Sequence, residues 1–371
     1  MKLLKKLLIK CKGIAWRIVI STPLYHVYIR SRYNAITEEN CVRGMRGYKR
    51  IPLKDAIAEA MEAFAPSAAD NGDALKKDMV RSYLRRGFTP SEFLLYDFPN
   101  RTTADRNSFI SRKEKDDAFK KSGCLGDISE VFRNKYKTYQ YFSKYFMRDA
   151  CLLSKETTGG FTAFCEHHHA FFAKRLSGDG GIGACIRTLT PSTGDVQKEI
   201  DFLLNDNKEW IIEELIDQHP IMSSLNPSSI NTIRFYSSFK KNKLRVFECY
   251  VRMGRTGSIM DNYTSGGIAA AVDENTGIII SDAIDKSGKH YASHPDTKIE
   301  LNGFQIPYWD KLLCLAEELH KSLPPYPLIA WDFALSAKGW ILVEANGMGD
   351  TLSQAILNRG LRKRFYYCFN G

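Results

Sequence analysis

No Cys-x-x-Cys pair occurs in this chain of 371 residues, and its nine cysteines (Cys11, Cys41, Cys124, Cys151, Cys165, Cys185, Cys249, Cys314, Cys368) follow no regular spacing. That excludes a zinc ribbon or a dense disulfide frame and reads as reduced cytosolic thiols. Long apolar runs are missing as well. The uncharged stretch Ile18 to Ile29 is too short and too polar to span a bilayer. Lysines break the apolar run before it and no small-residue cleavage site follows, so a secretory signal is not expected. Internal repeats and low-complexity tracts are absent, which excludes a solenoid. Acidic residues are scarce at the start: the first fifty positions hold twelve Lys/Arg against only Glu38 and Glu39.

What is present is the composition of a soluble globular protein, 44% hydrophobic and 26% charged, on a chain long enough for two or three domains. The net charge of +11 is partly local. Lys2, Lys5, Lys6, Lys10 and Lys12 among Leu3, Leu4, Leu7, Leu8 and Ile9 fit a solvated helix face, attraction to nucleic acid, or peripheral contact with an anionic membrane through residues 1–30. Of these, nucleic acid is not expected as a partner. The expected location is cytoplasmic, with the inner face of the membrane as the place of any peripheral contact.

Helical composition and period appear at 53–65 and about 73–86, stopped by Pro66 and Gly87. The basic segment from Asn100 to Lys121 reads as an exposed connection or short helix, and a mostly helical N-terminal region is expected to end near residue 125. Helices are then expected at Asp127–Met147, Asp195–Leu204 and Trp309–Leu323, the last ended by Pro324-Pro325. Strands are expected within Ala163–Lys174 and at Trp210–Ile216, Thr232–Phe239, Leu244–Val251, Ile268–Val272 and Ile278–Ile280, with a turn at Asp273–Gly277. Hairpin-joined strands with interspersed helices indicate an α+β class.

Residues Leu328 to Asn346 read as one β-hairpin. Side-chain period two puts Glu344 and Asn346 on one face, and a three-residue loop Ala337-Lys338-Gly339 sets Asp332 opposite Glu344. Oxygen ligands gathered in this way suit Mg²⁺, which is usually held by one or two carboxylates with substrate phosphates; an ordinary buried hairpin with acids at the sheet end is the alternative. Upstream, the strand-end Lys174 leads into Gly178, Gly180, Gly181 and Gly183. Such glycines let backbone N–H groups close over phosphate oxygens, and the lysine adds a point charge. The extended stretch after Gly183 disfavours a dinucleotide fold, Gly-Lys-Ser/Thr is missing, and no protein-kinase motifs follow; a surface loop is the alternative. Trp210 to Ile216 is an apolar strand ending in Glu213 and Glu214, able to offer adenine backbone hydrogen bonds and a carboxylate, or simply an edge strand with exposed acids. His167-His168-His169 is not expected to bind metal, because successive strand residues face opposite ways.

The order of these parts, together with Asn226-Pro-Ser-Ser-Ile-Asn231-Thr-Ile-Arg234, Asp261-Asn262 with Gly266-Gly267, His294-Pro295, Gly303 with Ile306-Pro307, Trp331-Asp332, Glu344-Ala-Asn346 and Gln354, resembles the ATP-grasp superfamily over residues 126–365. More narrowly it resembles the sugar-transfer-associated ATP-grasp group, found with polysaccharide-assembly genes. The resemblance implies two α+β subdomains, 126–220 and 221–371, clamping ATP behind the N-terminal region 1–125. It implies that Lys135 and Lys174 bind phosphate, Glu213, Glu214, Leu215 and Ile216 hold adenine and ribose, and Asp332, Glu344 and Asn346 hold Mg²⁺. Asn134 stands where relatives often have Asp before the first lysine.

Relatives such as D-alanine:D-alanine ligases carry an arginine two residues before the metal aspartate, where this chain has Ala330. Arg234 and Arg252 are the expected replacements, each able to grip phosphate or carboxylate with two bonds, with a sheet-edge ion pair as the alternative. Asn231, Asn262, Gly266, Gly267 and His294 are candidate acceptor-pocket residues; a tight turn and a capping histidine are the alternatives. The implied activity is an ATP- and Mg²⁺-dependent carboxylate–amine ligase acting through an acyl phosphate on a cell-surface polysaccharide or its sugar precursor, with an amino acid as one candidate group. A sugar phosphotransferase on the same fold and a non-catalytic nucleotide-binding partner of glycan assembly enzymes are the competing readings.

Overall fold

The computed structural model describes residues 24–44, 49–64, 72–124, 127–176, 183–189 and 193–369. The basic start up to Lys12, the stop at Pro66, and Gly178, Gly180 and Gly181 lie outside the described residues. No described helix is long and apolar enough to cross a membrane, and the described cysteines are all free thiols. The chain divides into two compact units, one formed by residues up to Asp117 with Asn358–Arg362, the other by the rest. Residues 126–220 and 221–357 thus cluster together, and the division falls within the helix Arg112–Ser122.

The first unit is mostly helical, with a small ladder of β1 (Cys41–Arg43) and β2 (Arg50–Pro52). Its helix Leu53–Phe64 buries Leu53, Ala56, Ile57 and Ala60, the i, i+3, i+4, i+7 stripe of an amphipathic helix. Thr89 and Glu92 form a capping box, the Glu92 N–H donating to Thr89 Oγ1 at 3.2 Å and the Thr89 N–H to Glu92 Oε2 at 2.8 Å, with Pro90 opening the turn. Of the two expectations for the basic stretch after Asn100, an exposed connection or a short helix, the structure shows helix. The stretch forms the helices Thr103–Ser108 and Arg112–Ser122, and between them Phe109, Ile110 and Ser111 are buried. Phe109 packs on Tyr96 and Phe98, which gives this charged segment an aromatic anchor that its composition hides.

The second unit carries two antiparallel sheets. In the smaller, β3 (Ala150–Leu153), β4 (Ala170–Arg175), β5 (Cys185–Thr188) and β6 (Trp210–Glu214) lie in the order β3-β6-β4-β5. Leu153, Phe161, Phe171, Ala173, Leu203 and Ile212 build its core between the strands and the helices Gly159–His167 and Thr193–Leu203. The larger sheet joins β7 (Thr232–Lys240), β8 (Lys243–Met253), β9 (Ile268–Val272), β10 (Ile279–Ile284), β11 (His290–Tyr291), β12 (Ile329–Ser336) and β13 (Gly339–Asn346) in the order β11-β10-β9-β8-β7-β12-β13. Every residue of β12 is buried, as expected for a central strand with both faces covered. The architecture is the expected α+β with a mostly helical N-terminal region.

One local expectation needs correction. Asp127–Met147 is not one helix but three, Asp127–Arg133, Lys135–Tyr141 and Ser143–Phe146. Asn134 restarts the chain as an N-cap, its side chain accepting from the N–H groups of Tyr136 and Lys137 at 2.9 and 3.0 Å. The strand expected within Ala163–Lys174 is present and starts at Ala170, after a helix that runs to His167.

Candidate active site

The crossover that inserts β12 beside β7 brings Asp332 opposite Arg234 on one side and Glu344 on the other. Asp332 is 1% exposed. Arg234 grips it with Nε on Oδ1 at 2.5 Å and Nη2 on Oδ2 at 3.1 Å, and Arg252 Nη2 lies 3.1 Å from Oδ2. Burial alone lowers a guanidinium's pKa, yet Asp332, together with Tyr236, Tyr250 and Asp350, more than offsets it and holds Arg234 above its ordinary value. Arg252 is also held up, with Asp261 and Asp332 outweighing burial.

Arg252 is anchored from behind. Its Nε and Nη2 donate to Thr232 Oγ1 at 3.0 and 2.7 Å, while the Thr232 hydroxyl donates to Asp261. Burial raises the Asp261 pKa, and Arg252 and Thr232 only partly oppose it. The candidate pocket residues Asn262, Gly266 and Gly267 belong to the turn that holds Asp261 here. Asn262 Oδ1 accepts from Arg252 Nη1 at 3.4 Å, and a Cβ on Gly267 would stand 2.4 Å from the Asp261 carbonyl oxygen.

The hairpin reaches the expected Asp332–Glu344 pairing by another route. The turn has two residues, Ala337 and Lys338, since Ser336 pairs with Gly339. That alone would place Val343 opposite Asp332, but a bulge between Leu342 and Glu344 restores the register. Glu344 Oε1 lies 3.6 Å from Lys135 Nζ, so the lysine that opens a helix far upstream converges on the strand end. Asn134 caps that helix as an aspartate does, which accounts for its standing in that place.

The donor set fits Mg²⁺. An ionised carboxylate offers about four acceptor positions, of which the arginines take three on Asp332, leaving one on Oδ1. Asn346 Nδ2 is buried without a partner, and turning the amide over presents its oxygen instead. Asn346 pairs with Ala330 across the hairpin.

On the smaller sheet Lys174 Nζ lies 2.5 Å from Glu213 Oε2, and Arg148 Nη2 donates to Glu213 Oε1 at 2.7 Å. Burial pushes the Glu213 carboxyl up, but Arg148 and Lys174 overcome it and hold the group below the usual carboxylate range. Arg148 carried no signal in the sequence, being one arginine in a basic chain. Glu214 ends β6 and turns to the other side, where its Oε2 accepts the Asp149 N–H at 3.1 Å; Leu215 and Ile216 follow beyond the strand. His168 Nε2 meets Asp149 Oδ2 at 2.9 Å, so it joins two acids within metal-binding distance of one another, although not the neighbouring histidines. Gly183 has φ +79, and a Cβ there would only touch Arg175.

Two candidate substrate residues are fully buried. His294 is fully buried, one ring nitrogen meeting the Gly254 carbonyl at 3.0 Å and the other accepting the N–H groups of Asp296 and Thr297 at 3.3 Å. Asn231 is also fully buried, its amide donating to Gln218, Met222 and Asn226. Neither side chain is accessible to an acceptor. A residue not anticipated, Asp350, stands nearer the arginines, with Arg234 Nη1 at 3.7 Å and the Tyr250 hydroxyl donating to it at 3.2 Å.

Opposed acids on a hairpin, a lysine–glutamate pair on a smaller sheet and an α+β architecture are the arrangement expected of an ATP-grasp fold. Residues 190–367 match the sequence model of the family described as sugar-transfer associated ATP-grasp. Similar solved structures include a VanG D-Ala:D-Ser ligase from Enterococcus faecalis, 12% identical, covering 65% of this chain and 62% of that one at a TM-score of 0.43. The D-alanyl-alanine synthetase A from Vibrio cholerae is 13% identical, covering 65% and 64% at 0.39. A D-alanine-D-alanine ligase from Helicobacter pylori is 12% identical, covering 65% and 61% at 0.38. The chain therefore spans less than two thirds of the length of each of these structures. No curated protein matches the sequence.

Proposed function

We propose that the protein is an ATP- and Mg²⁺-dependent carboxylate–amine ligase that modifies a cell-surface glycan or its sugar precursor. The observation that carries this reading is the convergence of Lys135 on Glu344, which joins an upstream cation to the acid-bearing hairpin of an ATP-grasp segment. Carboxylates are poor electrophiles, so amide formation needs activation. Lys135 and Lys174 bind the phosphates, and Glu213 to Ile216 receive adenine and ribose. Asp332, Glu344 and Asn346 hold Mg²⁺, which when bound offsets phosphate charge. The nucleotide's phosphates also bring the negative charge that lets a cation sit beside Arg234 and Arg252.

The substrate carboxylate attacks the γ-phosphorus, the bond to the bridging oxygen breaks, and ADP leaves. Arg234 and Arg252 take up the developing charge on the acyl phosphate, in place of the arginine absent at Ala330. An amine then attacks the acyl carbon, phosphate departs, and an amide remains. The acceptor is glycan-linked on the strength of the family description, sugar-transfer associated.

The test is to incubate the full chain with ATP, Mg²⁺ and panels of acids, amines and nucleotide sugars, and to weigh the products. ADP release requiring both an acid and an amine, with a product lighter than its reactants by one water, is the expected result. A phosphorylated hydroxyl formed without any acid overturns the ligase reading in favour of a phosphotransferase. The basic residues 1–30 are proposed to touch anionic membrane. Deleting residues 1–20 then lowers binding to anionic vesicles in a salt-dependent way, and equal binding by the shortened chain refutes it.

A further inference from the structure

Arg148 joins the two sheets of the second unit at one buried point. Its side chain is only 4% exposed. On the side of the smaller sheet, Nη2 donates to Glu213 Oε1 at 2.7 Å. On the side of the larger sheet, Nη1 donates to the Leu342 carbonyl at 2.8 Å, and Nη2 lies 3.5 Å from the Val343 carbonyl. Those two carbonyls belong to the bulge of β13, and Glu344 follows directly. The guanidinium also lies 4.7 Å from the Phe146 ring centroid and reaches the Phe146 carbonyl at 3.4 Å, which leaves it little freedom to turn away.

A bulge interrupts the ladder and leaves polar backbone groups in need of partners. Here the partner is a side chain whose other bond goes to the carboxylate that also holds Lys174. The planar fork of an arginine makes this possible, because its donors diverge in fixed directions; a lysine ammonium of the same charge is a single point.

We propose that Arg148 is a positioning residue that couples nucleotide recognition at Glu213 to the placement of Glu344. The proposal rests on the ATP-binding reading above. If adenine and phosphate draw Glu213 and Lys174 into their bound positions, Arg148 moves with Glu213 and sets the bulge, and with it the carboxylate one residue on. Coupling of this kind is reciprocal: a cation at Glu344 must strengthen nucleotide binding through Arg148, and losing the link must weaken that effect from either end.

The experiment measures the dissociation constant of a non-hydrolysable ATP analogue, adenylyl imidodiphosphate, with and without Mg²⁺, by calorimetry on the full chain. Wild-type protein, Arg148→Lys, Glu213→Gln and Glu344→Gln are compared, with circular dichroism to confirm folding. The wild type is expected to gain affinity on adding Mg²⁺, and Glu344→Gln to lose that gain. Arg148→Lys is expected to lose roughly fivefold or more of it, a coupling of the usual size. Its Mg²⁺-free affinity changes less. Glu213→Gln keeps the proposal testable should Arg148→Lys not fold. A residue that only touched adenine would weaken binding equally with and without Mg²⁺, whereas the coupling predicts a smaller Mg²⁺ gain.

An unchanged gain in both Arg148→Lys and Glu213→Gln overturns the coupling while leaving ATP binding intact. A wild-type protein that does not bind the analogue, or gains nothing from Mg²⁺, overturns the coupling together with the reading beneath it.

Discussion

Replacing Asp332 by Asn tests the site as a charge balance, because the two side chains have nearly the same shape and no cavity forms. In the native chain both Asp332 oxygens are engaged by Arg234, and Arg252 adds a third contact. Removing one partner of a buried ion pair destabilises by about 3–5 kcal/mol, since the remaining charge stays buried without its counter-ion. The lower end applies here: Arg234 keeps Asp350 at 3.7 Å, and Arg252 keeps Asp261 at 3.5 Å. A loss of about 3 kcal/mol corresponds to a fall of about 6–12 °C in melting temperature for a unit of this size. Four of the five tryptophans, Trp210, Trp309, Trp331 and Trp340, lie in the second unit, so tryptophan fluorescence during urea or thermal unfolding reports mainly on it. Arg252→Met, alone and combined with Asp332→Asn, completes a double-mutant cycle in which the two losses are expected to be less than additive. A loss below about 1 kcal/mol for Asp332→Asn, or strict additivity with Arg252→Met, refutes the claim that this carboxylate charge holds the arginines.

Glu344→Gln is expected to abolish turnover while weakening Mg²⁺-free ATP binding much less than Lys174→Ala does; unchanged turnover removes Glu344 from the metal set. His320 is buried against Ser237, its Nε2 2.7 Å from the hydroxyl, and burial lowers its pKa from 6.5 to about 4. Below pH 6.5 the unfolded chain therefore binds a proton that the folded chain refuses. Stability falls from pH 6.5 towards about 4, by up to about 1.4 kcal/mol per pH unit. His320→Gln should flatten that slope in urea titrations at several pH values, and an unaltered slope refutes the assignment. Gly267→Ala pushes a methyl to 2.4 Å from the Asp261 carbonyl oxygen. It is expected to cost about 2 kcal/mol or more and to impair turnover by disturbing Arg252; a neutral Gly267→Ala melting curve is the contrary result.

Much of the larger sheet was legible in the sequence because strand periodicity is local. Thr232 to Phe239, Ile268 to Val272 and the Leu328–Asn346 hairpin announced themselves by alternation and turn residues. The Asp332–Glu344 pairing was read correctly although the turn was read one residue too long, because a bulge at Val343 supplies the missing step. Nothing local marks that bulge, which is held by Arg148 from another element. The helix expected at Asp127–Met147 breaks for a reason visible only afterwards: Asn134 prefers to cap the next turn instead of continuing the last. The buried state of Phe109 and Ile110 was concealed by the charges around them.

The roles of polar residues were less legible. His294 and Asn231 belong to motifs that resemble a binding site, yet both are fully buried, His294 bonded to backbone groups and the Asn231 amide nitrogen to Gln218, Met222 and Asn226. Arg234 and Arg252 were expected to act on the substrate, and they stand beside Asp332, where the same guanidiniums also hold a sheet ion pair together.

By itself the sequence determined which segments alternate or cap, and the order of lysine, glycines, acids and asparagine along the chain. Those properties depend on neighbours a few residues away. Only the tertiary structure decided which charge meets which. Arg234 and Asp332 are 98 positions apart, and Arg148 and Leu342 are 194. Their contacts exist because β12 inserts beside β7 and because the smaller sheet brings Glu213 to the bulge. A buried charge takes whatever counter-charge the strand order delivers, and that order is a property of the whole packed unit.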